Sequence, residues 1–144
     1  MDSVEREVYV EARPEVVWSA VTQPDVFAQW YAFGGAEIDL RPGGRLVTRW
    51  DEHGEFRGFV EKVEPGRRFA YRSAVEPGVE PAPGNSTVVE FTLTPEAEGT
   101  RLLVVESGFD RLDATPEQQS AYTTRSTQAW ENALVALTAL APTL

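Results

Sequence analysis

The sequence contains no cysteine. That excludes disulfides, thiol nucleophiles and cysteine-based metal sites together. It also suits a reducing compartment. Histidine is almost as scarce: His53 is the single one, in the turn Asp51-Glu52-His53-Gly54. One histidine beside adjacent carboxylates lacks metal-ligand spacing, so no metal is expected. Exposure in a turn also makes His53 a poor general acid or base. No apolar run approaches the roughly 20 residues that cross a bilayer, so no membrane insertion is expected. The start, Met1-Asp2-Ser3-Val4-Glu5, has neither the basic residues nor the apolar run of a signal peptide. The cytoplasm is therefore the expected location. Positive charge is in short supply: 13 basic residues stand against 23 acidic ones, for a net charge of −10. That field repels phosphate backbones and excludes nucleic acid as a partner.

Catalytic motifs are missing too. No nucleophile elbow, phosphate loop or dinucleotide fingerprint occurs. Gly34-Gly35 and Gly43-Gly44 mark turns and open no helix after a strand. No cofactor is expected, and no catalytic residue is assigned.

What remains is a pattern of short elements. At 144 residues the chain is expected to be one domain, 1–144. A chain of this size buries about 70% of its unfolded surface and folds without staples. Residues 4–11 alternate as a half-buried strand. Pro14 and Glu15 suit a helix start, and Val17, Ala20 and Val21 form its apolar stripe. Thr22 to Asp25 reads as the start of a second short helix, capped by Thr22, with Phe27 and Trp30 facing inward. The period then changes to two. Strands are expected over 36–40, 45–50, 55–63, up to 73, 87–93 and 101–107, about seven in all, with turns such as Arg41-Pro42-Gly43-Gly44 between them. Residues 94–100 are expected to join the last two strands. Residues 75–86 hold three prolines and two glycines and read as a mobile hairpin loop. Thr115-Pro116-Glu117-Gln118 combines a capping threonine, a first-turn proline and a capping-box glutamine. The helix it opens should run to about Ala141, with Trp130, Ala133, Leu134, Leu137 and Leu140 as its apolar stripe.

That order is similar to the helix-grip fold, and local patterns sharpen the likeness. Ala12, Pro14, Val17 and Trp18 resemble the "Ala-x-Pro-x-x-Val-Trp" of START-like proteins, and Pro24 to Trp30 the "Pro…Trp" after it. Arg41, Gly43 and Gly44 resemble "Arg-x-Gly-Gly". Gly58, Val60, Val63 and Pro65 resemble "Gly-x-Val-x-x-Ile-x-Pro". Gly99, Thr100 and Leu102 match "Gly-Thr-x-Leu", and Trp130, Leu134 and Leu137 match "Gly-Trp-x-x-x-Leu-x-x-Leu". Over nearly its whole length the chain resembles the SRPBCC (Bet v 1-like, START-like) superfamily, in the branch related to the activator of the heat-shock-protein-90 ATPase. Ala129 departs from it, standing where glycine is usual; a methyl there should push the helix off the sheet or alter the cavity floor. The resemblance implies an α+β fold, a curved antiparallel sheet around a long C-terminal helix, and a cavity for a small hydrophobic molecule: a lipid, an aromatic compound or a polyketide-like one.

Candidate lining residues follow from parity. Phe69, Tyr71 and Ser73 share one strand face; so do Val89, Phe91 and Leu93, then Leu46, Thr48 and Trp50, then Leu102, Val104 and Glu106. On the helix, Tyr122, Thr123, Ser126, Thr127 and Trp130 are read as one side, bulky below and hydroxylated above. Trp30 and Trp50 adjoin loops and are candidates for the rim. Glu106 is the odd residue on an apolar face, since burying it unpaired would cost several kcal/mol. Two readings stand for it. It is a polar anchor in the pocket, oriented by Arg49, Arg57, Arg72 or a ligand; or the strand bulges before Ser107-Gly108 and Glu106 faces water. Three functions are open: binding of a small hydrophobic molecule, a cavity enzyme (cyclase- or hydrolase-like) using Glu106 or Tyr71, and a chaperone-associated interaction module. Nothing in the sequence supports a protein partner or fixes an oligomeric state.

Overall fold

The structure is a computed structural model describing residues 2–144. Met1, part of the N-terminal segment read above, lies outside the described residues. In chain order the elements are β1 (Ser3–Val10), α1 (Pro14–Thr22), α2 (Pro24–Trp30), β2 (Gly35–Ile38), β3 (Arg45–Trp50), β4 (Gly54–Glu64), β5 (Arg68–Ala74), β6 (Ser86–Glu96), β7 (Gly99–Ser107) and α3 (Pro116–Leu140). Short 3-10 turns at Phe109–Arg111 and Ala141–Thr143 flank α3.

All seven strands form one antiparallel sheet in the order β1-β7-β6-β5-β4-β3-β2. From β2 to β7 the chain meanders through hairpins; only the β1–β7 pairing is distant, setting Ser3 opposite Ser107 and Val10 opposite Thr100. The concave face carries the residues that parity placed together. Leu46, Val60, Phe69, Tyr71, Val89, Phe91, Leu102 and Val104 are all buried there, against Phe27 and Trp30 of α2 and Trp130, Leu134 and Leu137 of α3. This is the curved sheet around a C-terminal helix that the sequence led us to expect.

Each helix starts where its chemistry dictates. Pro14 and Pro24 occupy first-turn positions of α1 and α2, where their missing N–H costs nothing. Both arms of the capping box at α3 are made: the Gln118 N–H donates to Thr115 Oγ1 at 3.1 Å, and the Thr115 N–H donates to Gln118 Oε1 at 2.9 Å. The expected cap of α2 differs. Thr22 is the last residue of α1 and its hydroxyl donates to the Trp18 carbonyl at 2.7 Å. Gln23 holds the capping position with no side-chain bond. A threonine within reach of the carbonyl four residues back satisfies its own helix first.

The β6–β7 hairpin also differs. Thr94, Pro95 and Glu96 continue β6, with Pro95 opposite Thr100 and Glu96 opposite Gly99. Ala97, at φ 52°, takes the left-handed turn position in place of the nearby glycine, Gly99. Gly99 is needed for a different reason: a Cβ there would lie 2.4 Å from the Val10 carbonyl oxygen, where β1 crosses. Gly58 is tighter still, with a Cβ position 2.1 Å from the Arg72 carbonyl oxygen in the β4–β5 ladder. Two motif glycines thus mark places where neighbouring backbones leave no room for a side chain.

Candidate ligand cavity

Between the concave sheet and the N-terminal half of α3 lies a cavity of about 190 Å³. Tyr31 from the end of α2, Thr48 and Trp50 from β3, Phe56 from β4, Tyr71 and Ser73 from β5, Thr87 and Val89 from β6, and Glu106 from β7 line it. Ser126 and Ala129 of α3 close the opposite side, while exposed His53 and Arg125 stand at the mouth with the half-buried Trp50.

Glu106 is the polar centre. It is 7% exposed and sits opposite Val4 on one side and Val89 on the other, in unbroken register. The alternative in which the strand bulges and turns Glu106 to water is therefore corrected: β7 stays extended through Ser107, so alternation keeps Glu106 on the concave face. Its partners differ from those expected. The Thr87 hydroxyl donates to Oε2 at 2.6 Å, and the Trp130 indole N–H donates to Oε1 at 2.9 Å. The proposed arginines are engaged elsewhere. Arg49 pairs with Glu37 and Glu55, Arg57 with Glu55 and Glu80, and Arg72 with Glu61 and the Ser86 hydroxyl. Those side chains leave the edge or convex face of the sheet, where acidic neighbours are plentiful. Two neutral donors thus satisfy the buried carboxylate, one on each oxygen.

Trp130 does structural work for this arrangement. It is fully buried, stacks on Tyr31 at 4.2 Å with the rings 5° apart, and meets Phe91 edge-on at 5.6 Å. Tyr31 in turn packs edge-on against Trp50 at 4.7 Å. Tyr31 and Tyr71 line the cavity together with Glu106, and both phenol groups are buried. Burial raises both phenols well above the ordinary tyrosine range. The charge of Glu106 pushes each the same way, and Arg125 opposes the shift at Tyr31.

That shift has a measurable consequence. The folded pKa values lie above the unfolded value of about 10, so the stabilisation is complete below pH 10 and is lost as pH rises. Stability should fall by about 1.4 kcal/mol per pH unit above that point for each of the two tyrosines. An alkaline titration of tyrosinate absorbance, followed beside circular dichroism, should show these two ionising only with unfolding. Ionisation of all 4 tyrosines in an intact fold would refute it.

Of the side chains singled out by sequence, Thr48, Trp50, Tyr71, Ser73, Val89, Glu106 and Ser126 line the cavity. Trp130 touches it through Glu106. Phe69 and Phe91 lie deeper, at 0% exposure, stacked on each other at 6.3 Å as core. Trp30 is core as well, its indole N–H donating to the Ala20 carbonyl at 2.8 Å. Its place beside a loop in sequence does not put it at the rim, because α2 turns that face into the protein. Thr123 and Thr127 face an outer groove shared with β1 residues Ser3 to Arg6, and each hydroxyl bonds back to its own helix. Tyr122 is displaced from the lining and donates to Glu76 in the loop after β5. That loop is tied down at several points: the Val75 N–H donates to the Asn85 carbonyl at 2.9 Å, and the Asn85 side chain bonds both Ala82 and Glu80.

Sequence reasoning missed Tyr31, Phe56, Thr87 and Arg125. Thr87 was within reach of the method, since it has the parity of Val89 and Phe91. Ala129, noted as a departure from glycine, lies in the cavity wall, so its methyl does shape the site. His53, placed correctly in an exposed turn, borders the mouth as well. Among the described residues no cluster of metal-ligating side chains is present, and no helix is long and apolar enough to cross a membrane.

A family model described as "Activator of Hsp90 ATPase homolog 1-like protein" matches residues 11–141. Among solved structures, protein MLL2253 from Mesorhizobium loti is 28% identical, with a TM-score of 0.78 over 96% of this chain and 95% of that one. DynU16, a protein of the dynemicin biosynthetic locus, is 29% identical, with a TM-score of 0.74 over 96% of this chain. The chain spans 46% of the length of DynU16. The Aha1 dimer from Colwellia psychrerythraea shares the fold at 20% identity, with a TM-score of 0.73 over 96% of this chain and 94% of that one. No curated protein is significantly similar to the chain.

Proposed function

This chain belongs to the family of Activator of Hsp90 ATPase homolog 1-like proteins, and from that premise we propose that it binds a small hydrophobic molecule carrying a hydrogen-bond donor. One observation carries the reading. A buried carboxylate, Glu106, is held by neutral donors in the wall of a cavity that also presents the aromatic rings of Tyr31, Trp50, Phe56 and Tyr71, aliphatic groups and a few hydroxyls. Apolar walls supply affinity by burying ligand surface, and a few fixed polar groups supply orientation. Each Glu106 oxygen has a lone pair left after Thr87 and Trp130 are served, so a ligand hydroxyl or amine can be received without displacing either.

A second reading rests on the Tyr71 hydroxyl beside Glu106. Burial keeps that phenol protonated, which makes it a proton donor and not a base. In a cavity enzyme Tyr71 would donate a hydrogen bond to a substrate oxygen while the Glu106 carboxylate accepts a proton from the substrate; no group in the cavity is a nucleophile of the activated kind.

The test is native mass spectrometry of protein purified without detergent, followed by melting with a library of small aromatic and aliphatic compounds. We expect a co-purified mass of a few hundred daltons or less. A compound present at 100 times its Kd should add about 2.7 kcal/mol of stability, or on the order of 5–10 °C in Tm. A clean apo mass together with no shift from any compound would overturn the reading.

A further inference from the structure

We infer that the ligand is an aryl carboxylate: its acid group held by Arg125 at the mouth, its ring against Tyr31, Trp50, Phe56 and Tyr71, and a hydroxyl at its far end directed to Glu106. This rests on the cavity-binding reading and names the ligand class for that site.

Among the described residues Arg125 is the only arginine or lysine in the cavity lining. Its guanidinium is steadied without being neutralised. Nη2 donates to the Val75 carbonyl at 3.0 Å, and the group lies over the Tyr122 ring at 5.0 Å and the Phe56 ring at 5.9 Å. Among the described residues that bond is the only one it donates, which leaves four of its five N–H donors unspent. Among the described residues no carboxylate lies within salt-bridge distance of it, although the chain carries 23 acidic side chains. Arg6, Arg41, Arg49, Arg57, Arg72 and Arg101 have acidic partners, and of the arginines with none among the described residues Arg125 alone lines the cavity. In a protein of net charge −10, an arginine kept clear of carboxylates at a cavity mouth and fixed by stacking is built to receive an anion. The planar fork matches a carboxylate in two parallel bonds.

The buried part of the cavity has the opposite preference. Glu106 accepts and does not donate, so it selects a hydroxyl or amine there and repels a second acid group. The walls between are aromatic. A volume of about 190 Å³ falls below the roughly 300–1,000 Å³ of common ligand pockets. It suits one ring with a short chain, not a complete lipid.

The probes are 3-(4-hydroxyphenyl)propanoate, its methyl ester and 4-ethylphenol, titrated by calorimetry against the full chain. The acid should bind at least tenfold more tightly than the ester. Arg125→Gln should erase that difference by weakening the acid far more than the ester, and Arg125→Lys should keep part of it. Thermal melting of both variants checks that the fold survives. Equal affinity of acid and ester overturns the aryl-acid assignment while leaving the cavity reading standing; so does a variant that weakens both alike. Absence of binding by all three probes counts against both.

Discussion

Alanine in place of Trp130 should cost about 3–5 kcal/mol of stability, the range for emptying a buried aromatic position. In a domain of this size that is on the order of 10 °C or more in Tm, and a large share of the roughly 5–15 kcal/mol that holds such a domain folded. Two losses combine. Tyr31 and Phe91 lose the ring they pack on, and Glu106 loses the indole N–H that serves Oε1. Trp130→Phe separates them, because it keeps most of the ring and removes the donor. It should cost about 1–3 kcal/mol, the penalty of an unserved buried acceptor. Urea unfolding of both variants reads the two terms directly. If phenylalanine proves as damaging as alanine, the hydrogen bond outweighs the packing.

Glu106 offers the complementary experiment. Leucine there should destabilise the protein by about 2–4 kcal/mol, since the Thr87 hydroxyl and the Trp130 N–H would both be buried without an acceptor. Glutamine should cost less than about 1 kcal/mol. Its carbonyl can accept from Trp130, and its amide can donate to the Thr87 oxygen once that hydroxyl rotates. The charge is gone, however, and charge-assisted hydrogen bonds are roughly twice as strong as neutral ones. Affinity for a hydroxylated ligand should therefore drop about tenfold in Glu106→Gln at nearly unchanged Tm. An unaltered affinity would remove Glu106 from the binding site.

Much of this fold could be read from the sequence because its signals are local or strictly periodic. Thr115, Pro116 and Gln118 specify the start of α3 by bonds made within four residues. Strand parity put Tyr71, Val89 and Glu106 on one face, and cross-strand pairing brings them together. The helix face was harder. The apolar stripe of α3 ends at Trp130, and hydroxyl residues above it were read as its continuation. Thr123 and Thr127 instead turn towards β1, while Arg125, Ser126 and Ala129 meet the cavity. Polarity misleads there, because an arginine that folds over Phe56 and Tyr122 has the composition of a solvent-facing residue. The partner of Glu106 was sought among arginines for a related reason. Charge complementarity is visible in a sequence, whereas an indole N–H arriving from a helix 24 residues away depends on how α3 is seated.

The pairing of β1 with β7 shapes how the protein is made. During synthesis the hairpins from β2 to β6 can zip together as they leave the ribosome, since each joins neighbours in the chain. The first strand must wait, because its partner spans residues 99–107. Trp130 arrives later still, and until it does Glu106 has only Thr87. Non-local closure of this kind slows folding, since loop entropy is lost before contacts reward it. The cavity is therefore closed only late in the life of the nascent molecule, once α3 has followed β7. Its half-built apolar wall is the surface a chaperone would meet.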